Sequence, residues 1–103
     1  MTVVRDVFQA KYGKGGELVK LLKEAQTIMP QAFAGRILTD ASGQFFTVVT
    51  ETELTNLAEW EQMQKKIFSH PDFGKWFAQM QPLVESGRRE FYNVEVARYT
   101  IRR

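Results

Sequence analysis

Cysteine is absent from this chain, and histidine occurs once, at position 70. The first absence excludes disulfides, thiolate catalysis and zinc sites of the cysteine type. The second excludes a metal site built from several histidines of one subunit. No apolar run approaches the roughly 20 residues that a membrane-spanning helix needs. The opening stretch MTVVRDVFQAKYG carries Arg5 and Asp6 inside a strand pattern, so it reads as structure and not as a secretory leader. A soluble, cytoplasmic protein is expected, with no membrane partner. A one-signed charge stripe is missing too. The net charge of +2 rests on the pair Arg102 and Arg103, and the other basic residues are scattered among acids, so no nucleic-acid partner is expected.

What is present is a sequence of hydrophobic periods. Thr2 to Ala10 is β-branched and aromatic, with Val4, Phe8 and Ala10 on one face and Val3, Arg5, Val7 and Gln9 on the other. The segment Gly13-Lys14-Gly15-Gly16 breaks that strand. Leu18, Leu21, Leu22, Ala25 and Met29 then recur at helical spacing over residues 17–29, and Pro30 ends the helix. Strands are predicted over 34–40 and 44–52, joined by the turn Asp40-Ala41-Ser42-Gly43 into a hairpin.

Asn56 followed by Glu59 resembles a capping box and opens a second helical region. His70-Pro71 interrupts it, with Ser69 or His70 suited to cap the second piece and Pro71 to sit in its first turn. The stripe Phe73, Trp76, Phe77, Met80, Leu83 and Val84 carries that piece onward to a C-terminal cap at Gly87. A last strand is predicted over 89–101.

This β-α-β-β-α-β order fills one domain of 103 residues. It predicts an α+β, ferredoxin-like fold with a four-stranded antiparallel sheet and both helical regions on one face. With 44% hydrophobic residues the chain supports a two-layer core. A domain this short buries only about 60–70% of its unfolded surface, so association would add stability. Val3, Val7, Phe45, Val94 and Val96 give the second sheet face apolar character, which predicts two sheets packed face to face in a homodimer.

The opening Val3-Val4-Arg5-Asp6-Val7-Phe8, the glycine-rich start of helix one, Leu57-Ala58-Glu59-Trp60-Glu61 and the run from Pro82 to Tyr92 carry a family likeness. On these residues, and over almost the whole length, the chain resembles the dimeric α+β barrel proteins of the antibiotic-biosynthesis-monooxygenase superfamily, with NIPSNAP-like members nearest. The resemblance implies a cavity between the helices and the sheet, and activities such as cofactor-independent oxygenation or isomerisation. The haem-degrading branch uses an asparagine on strand one, a tryptophan on helix two and a histidine slightly later. Trp60 matches the tryptophan, but strand one offers only Gln9 as its nearest amide, and Phe77 stands where the histidine is expected. No cofactor is therefore expected, and any oxygen chemistry would be cofactor-free.

Candidate site residues follow, each with a plainer reading beside it. His70 is the one side chain that titrates near neutrality and is the candidate general acid or base; it equally suits a helix restart. Trp60, Trp76, Met63 and Phe77 could line a pocket for a small aromatic ligand, and their helical spacing equally suits core. Arg36 could receive an anionic group, or pair with an acid such as Glu51, as could Arg5. Gly13-Lys14-Gly15-Gly16 could present backbone N–H groups to an anion, but lacks the spacing of a phosphate loop and reads better as a turn. The two functional readings are a small-molecule enzyme or binder, and a non-catalytic dimeric module.

Overall fold

The central strand β1 (Thr2–Ala10) is hydrogen-bonded on both sides, antiparallel to β3 (Thr47–Leu54) and to β4 (Val84–Asn93). The edge strand β2 (Arg36–Thr39) pairs with β3, giving the order β2-β3-β1-β4. Three helices complete this computed structural model, which describes residues 1–29 and 35–97: α1 (Gly15–Ile28), α2 (Leu57–Ser69) and α3 (Phe73–Met80). The fold is the α+β, ferredoxin-like arrangement expected from the periods. Pro30, Ala34 and the segment 98–103, which the sequence reading used as a helix stop and strand ends, lie outside the described residues.

Alternation along β1 sorts the side chains as the sequence demanded. Val4 and Ala10 are buried, and Phe8 packs with Ala10 against the α1 stripe Leu18, Leu21, Leu22 and Ala25. Val48 of β3 and Trp76 of α3 close this core. The Trp76 indole N–H donates to the Leu21 carbonyl oxygen at 2.9 Å, so the largest core ring has its polar edge satisfied. A smaller cluster joins Met29 at the end of α1 to Ile67 of α2, with Met63 and Phe73 alongside.

Helix termini follow side-chain chemistry. Asn56 Oδ1 accepts from the Glu59 N–H at 3.0 Å, and Glu59 returns a bond to the Thr55 N–H at 2.9 Å, one residue before the position of an ideal capping box. His70 closes α2 through its backbone N–H to the Ile67 carbonyl, and its Nδ1 accepts from the Asp72 N–H at 3.1 Å. Pro71 therefore lies in the joint between the two helices and not in the first turn of α3.

Several boundaries differ from expectation, among them the end of β4 at Asn93, short of the predicted 101. The helical stripe continues to Val84 in apolar spacing, but α3 ends at Met80 and a 3₁₀ turn (Gln81–Leu83) leads directly into β4. Pro82 is the cause, since it cannot donate back to the preceding turn and its ring crowds that turn. Leu83 and Val84 still reach the core, from turn and strand, which is why the apolar pattern did not register the change. Gly87 consequently sits within β4 opposite Phe8 and not at a helix end, and β4 begins at Val84, five residues before the predicted strand. Another difference is at β3, which starts at Thr47 and not Gln44, because Phe46 adopts a left-handed φ of 60°.

The second sheet face is also more polar than expected. Val3, Val7, Val49 and Leu38 lie on it by alternation, but charged rows cross them. Glu51 receives both Arg5, at 3.3 Å, and Arg36. On β4, Arg88 bonds Glu90 at 2.9 Å, and the Tyr92 hydroxyl donates to Glu90 at 3.0 Å. Phe45 is not on this face; it stands in the β2–β3 loop against Tyr12 and Phe46. Val94 and Val96 follow the end of β4.

Three stability outcomes are expected. Trp76→Phe removes the indole donor and some buried ring, and should lower unfolding free energy by about 1–3 kcal/mol in urea denaturation. A Cβ at Gly35 would overlap the Glu51 carbonyl, where β2 enters beside β3, whereas one at Gly16 meets nothing within 4 Å. Gly35→Ala should therefore cost about 2–3 kcal/mol. Gly16→Ala should gain about 0.5–1 kcal/mol. Equal effects from the two alanines would refute the close-approach explanation.

Candidate functional site

Helix α2 carries Trp60, Met63 and Ile67 along one line, as the spacing of three and four residues requires. Only Ile67 of this helix is buried, so α2 covers its part of the sheet less tightly than α1 covers the core. Beneath its first turns the sheet is partly polar: Asp6, Thr50, Thr52 and Arg89 share the helix-facing side by register.

Trp60 anchors this region. Its ring meets Phe91 edge-on, with centroids 5.2 Å apart at 90°. The Arg89 guanidinium lies 5.2 Å from the Trp60 ring centroid, a cation–π distance. Arg89 also grips Asp6 across the strand pair, through Nε at 2.6 Å and a second bond at 3.4 Å. The Trp60 indole N–H is buried and has no hydrogen-bond partner among the described residues. An indole N–H withdrawn from water without an acceptor costs free energy, so its surroundings suit a molecule that brings one. A cleft of about 300 Å³ opens beside this turn, between the end of β3 and Met63 of α2.

The other expected site residues are distributed differently. His70 lies ten residues beyond Trp60, about 15 Å along the helix at 1.5 Å per residue. Trp76 belongs to the α1–α3 core, and Phe77 stacks on Phe73 with centroids 5.5 Å apart. Arg36 projects from the edge strand on the opposite sheet face, paired with Glu51. Trp60 and Met63 thus sit one turn apart on α2, Trp60 against β4 and Met63 lining the cleft beside β3, while His70, Trp76, Phe77 and Arg36 lie elsewhere. Gln9 is also on the opposite face, bonded to the Phe45 carbonyl, so it does not join Trp60 in a haem-type constellation.

The pair beside Trp60 that the sequence does not reveal locally is Asp6 with Arg89. The two are 83 positions apart, and only the β1–β4 register makes them neighbours. The signal available was an acid and a base on the inward parity of two strands, where an unpaired charge is not tolerated.

The opposite face carries a shallow concavity of about 640 Å³, walled by the β2–β3 loop and floored by Val7, Val49 and Leu38. Along its margin Glu90 is held below the usual carboxylate range, first by the hydrogen bond from Arg88 and then by that from Tyr92. The same bonds raise the Arg88 guanidinium and the Tyr92 phenol. Among the described residues no group of three His, Asp or Glu side chains could hold a metal ion, and no helix is long and apolar enough to cross a membrane.

No protein-family model matches the sequence, and no curated protein matches it either. Solved structures do. An uncharacterized NIPSNAP domain protein from Burkholderia xenovorans superposes with a TM-score of 0.83 at 17% identity, over 97% of this chain and 100% of that one. A NIPSNAP family protein from Agrobacterium tumefaciens gives 0.81 at 16% identity, over 89% and 90% of the two chains. A candidate antibiotic biosynthesis monooxygenase from Deinococcus radiodurans gives 0.68 at 15% identity, over 98% and 99%. At these identities the likeness is one of backbone: the chain has the fold of the NIPSNAP proteins and of the monooxygenase-type protein beside them, as its sequence motifs led one to expect.

Proposed function

We propose that the protein acts as a homodimer and binds a small aromatic or anionic molecule between α2 and the sheet, after the manner of the cofactor-independent oxygenases its motifs resemble. The observation that carries this reading is the buried, partnerless indole N–H of Trp60. A ligand oxygen accepting from that N–H would satisfy it, while the Trp60 and Phe91 rings offer apolar surface. Arg89 supplies positive charge within the same cluster, although Asp6 already shares it, so a carboxylate or phenolate would have to compete for the guanidinium. Met63 would form the far wall.

The open sheet face supports the dimer reading. Val7, Val49 and Leu38 form its apolar floor, and the rows at Glu51 and Glu90 supply directional partners around it. A second copy placed face to face would exclude water from both.

A second reading, a non-catalytic dimeric module, is favoured by the packing of His70 and Trp76. The His70 Nδ1 already serves the turn into α3, and the Trp76 indole already bonds α1. Under this reading the Trp60 region is structural.

The two tryptophans allow a direct test. In a ¹H–¹⁵N spectrum, titration with small aromatic carboxylates should move the Trp60 indole resonance and leave that of Trp76 in place. Trp60→Phe should remove the binding while the fold persists. A screen that never moves the Trp60 resonance would favour the non-catalytic module. For assembly, sedimentation at low micromolar concentration should give a dimer, and Val7→Arg should dissociate it. A soluble wild-type monomer under those conditions would defeat the face-to-face arrangement.

A further inference from the structure

At the C-terminal end of β1, well separated from α2, a cleft of about 510 Å³ lies between three aromatic rings and the first turn of α1. Tyr12 meets Phe46 edge-on at 4.9 Å and 76°, and Phe45 stands 6.5 Å from each at 68°. Tyr12 is 80% exposed and Phe45 65%, so two large rings keep most of their area in water. The backbone of the loop that carries Phe45 and Phe46 is tied to β1. The Phe46 carbonyl accepts from the Ala10 N–H at 3.0 Å, and the Phe45 carbonyl from the Gln9 amide at 2.6 Å. Phe46 holds its left-handed backbone in this loop, a conformation that a bulky residue adopts only when its surroundings enforce it. The floor is open, because a side chain at Gly16 would meet nothing within 4 Å.

Among the described residues lining the cleft, Asp40 is the only one with a formal charge at neutral pH. Its Oδ1 accepts from the Thr47 N–H at 3.0 Å, which orients the carboxylate and leaves lone pairs on both oxygens for a further donor. The start of α1 contributes partial positive charge nearby, and Glu17 in its first turn is paired with the N-cap Lys14 at 3.3 Å, so these two side chains cancel. The faces of the exposed rings carry partial negative charge, and a full negative charge stands at the rim. Both features favour a cation over an anion.

We propose that this cleft is a binding site for a small aromatic ammonium compound, with the ring among Tyr12, Phe45 and Phe46 and the ammonium group on Asp40. It is independent of the α2 site. Titrations followed in ¹H–¹⁵N spectra, with tryptamine, indole and indole-3-acetate as probes, test it. Tryptamine should shift the amides of Gly15, Gly16 and Thr47, indole should do so more weakly, and indole-3-acetate least. Asp40→Asn keeps the oxygen that accepts from Thr47 and removes the charge, so tryptamine affinity should fall about tenfold. Gly16→Leu fills the floor without straining the helix and should abolish the shifts, with Trp76 unmoved as a sign of intact folding. The proposal is overturned if tryptamine leaves these amides still, if its shifts survive in Gly16→Leu, or if the acid binds as well as the amine.

Discussion

Two-sided pairing of β1 is the constraint on which the rest of this molecule depends. Its residues are matched to β3 on one side and β4 on the other over almost their full length. A strand held on both edges cannot slip, since a shift of one position would turn every side chain to the wrong face. The inward set Val4, Phe8 and Ala10 is thereby committed to the helices, and the outward set Val3, Arg5, Val7 and Gln9 to the open face. The α1 core, the Asp6–Arg89 pair and the ion rows all inherit their positions from that register.

The helical layer is less uniform than the sheet. Under α1 and α3 the packing is apolar, and Trp76 ties the two helices together through one satisfied polar atom. Under the first turns of α2 the sheet instead presents an acid, a base and two threonines, and the covering tryptophan has a polar edge with no partner. The contrast matters for function more than the presence of any particular catalytic residue. An apolar contact layer gains most when it is sealed, whereas a polar one gains when something enters it.

Much of the fold was legible because each element announces itself locally. The alternation in β1, the leucine stripe of α1 and the Asn56–Glu59 cap need no knowledge of the rest of the chain. The failures arose where two elements share one apolar surface. Leu83 and Val84 continue the spacing of α3 yet belong to a turn and a strand, and the breaker, Pro82, was outweighed by the pattern around it. Phe46 lost β3 its first residues through a backbone angle that no side-chain periodicity records. Among the candidate site residues, Trp60 and Met63 were found together because one helix carries both. Arg36 suggested itself as the anion anchor because its strand neighbours read as buried. Arg89 is the arginine beside Trp60, and only long-range register could reveal it.

The joint between α3 and β4 has one more consequence. Gln9 and Ala10 of β1 are opposed by Ser86 and Val84, so Glu85 is an extra residue in β4. That single residue resets the parity of the strand after the turn. With it, Val84 packs inward beside the helices, while Gly87, Arg89 and Phe91 also face them and Arg88, Glu90 and Tyr92 face out. Regular pairing of the same residues from Val84 would exchange the two rows, putting Arg88 and Glu90 where Arg89 and Phe91 now meet Trp60. The identity of both faces of this protein's sheet edge is thus a matter of odd or even count. The bulge at Glu85, and not the composition of β4, decides which row meets the helices.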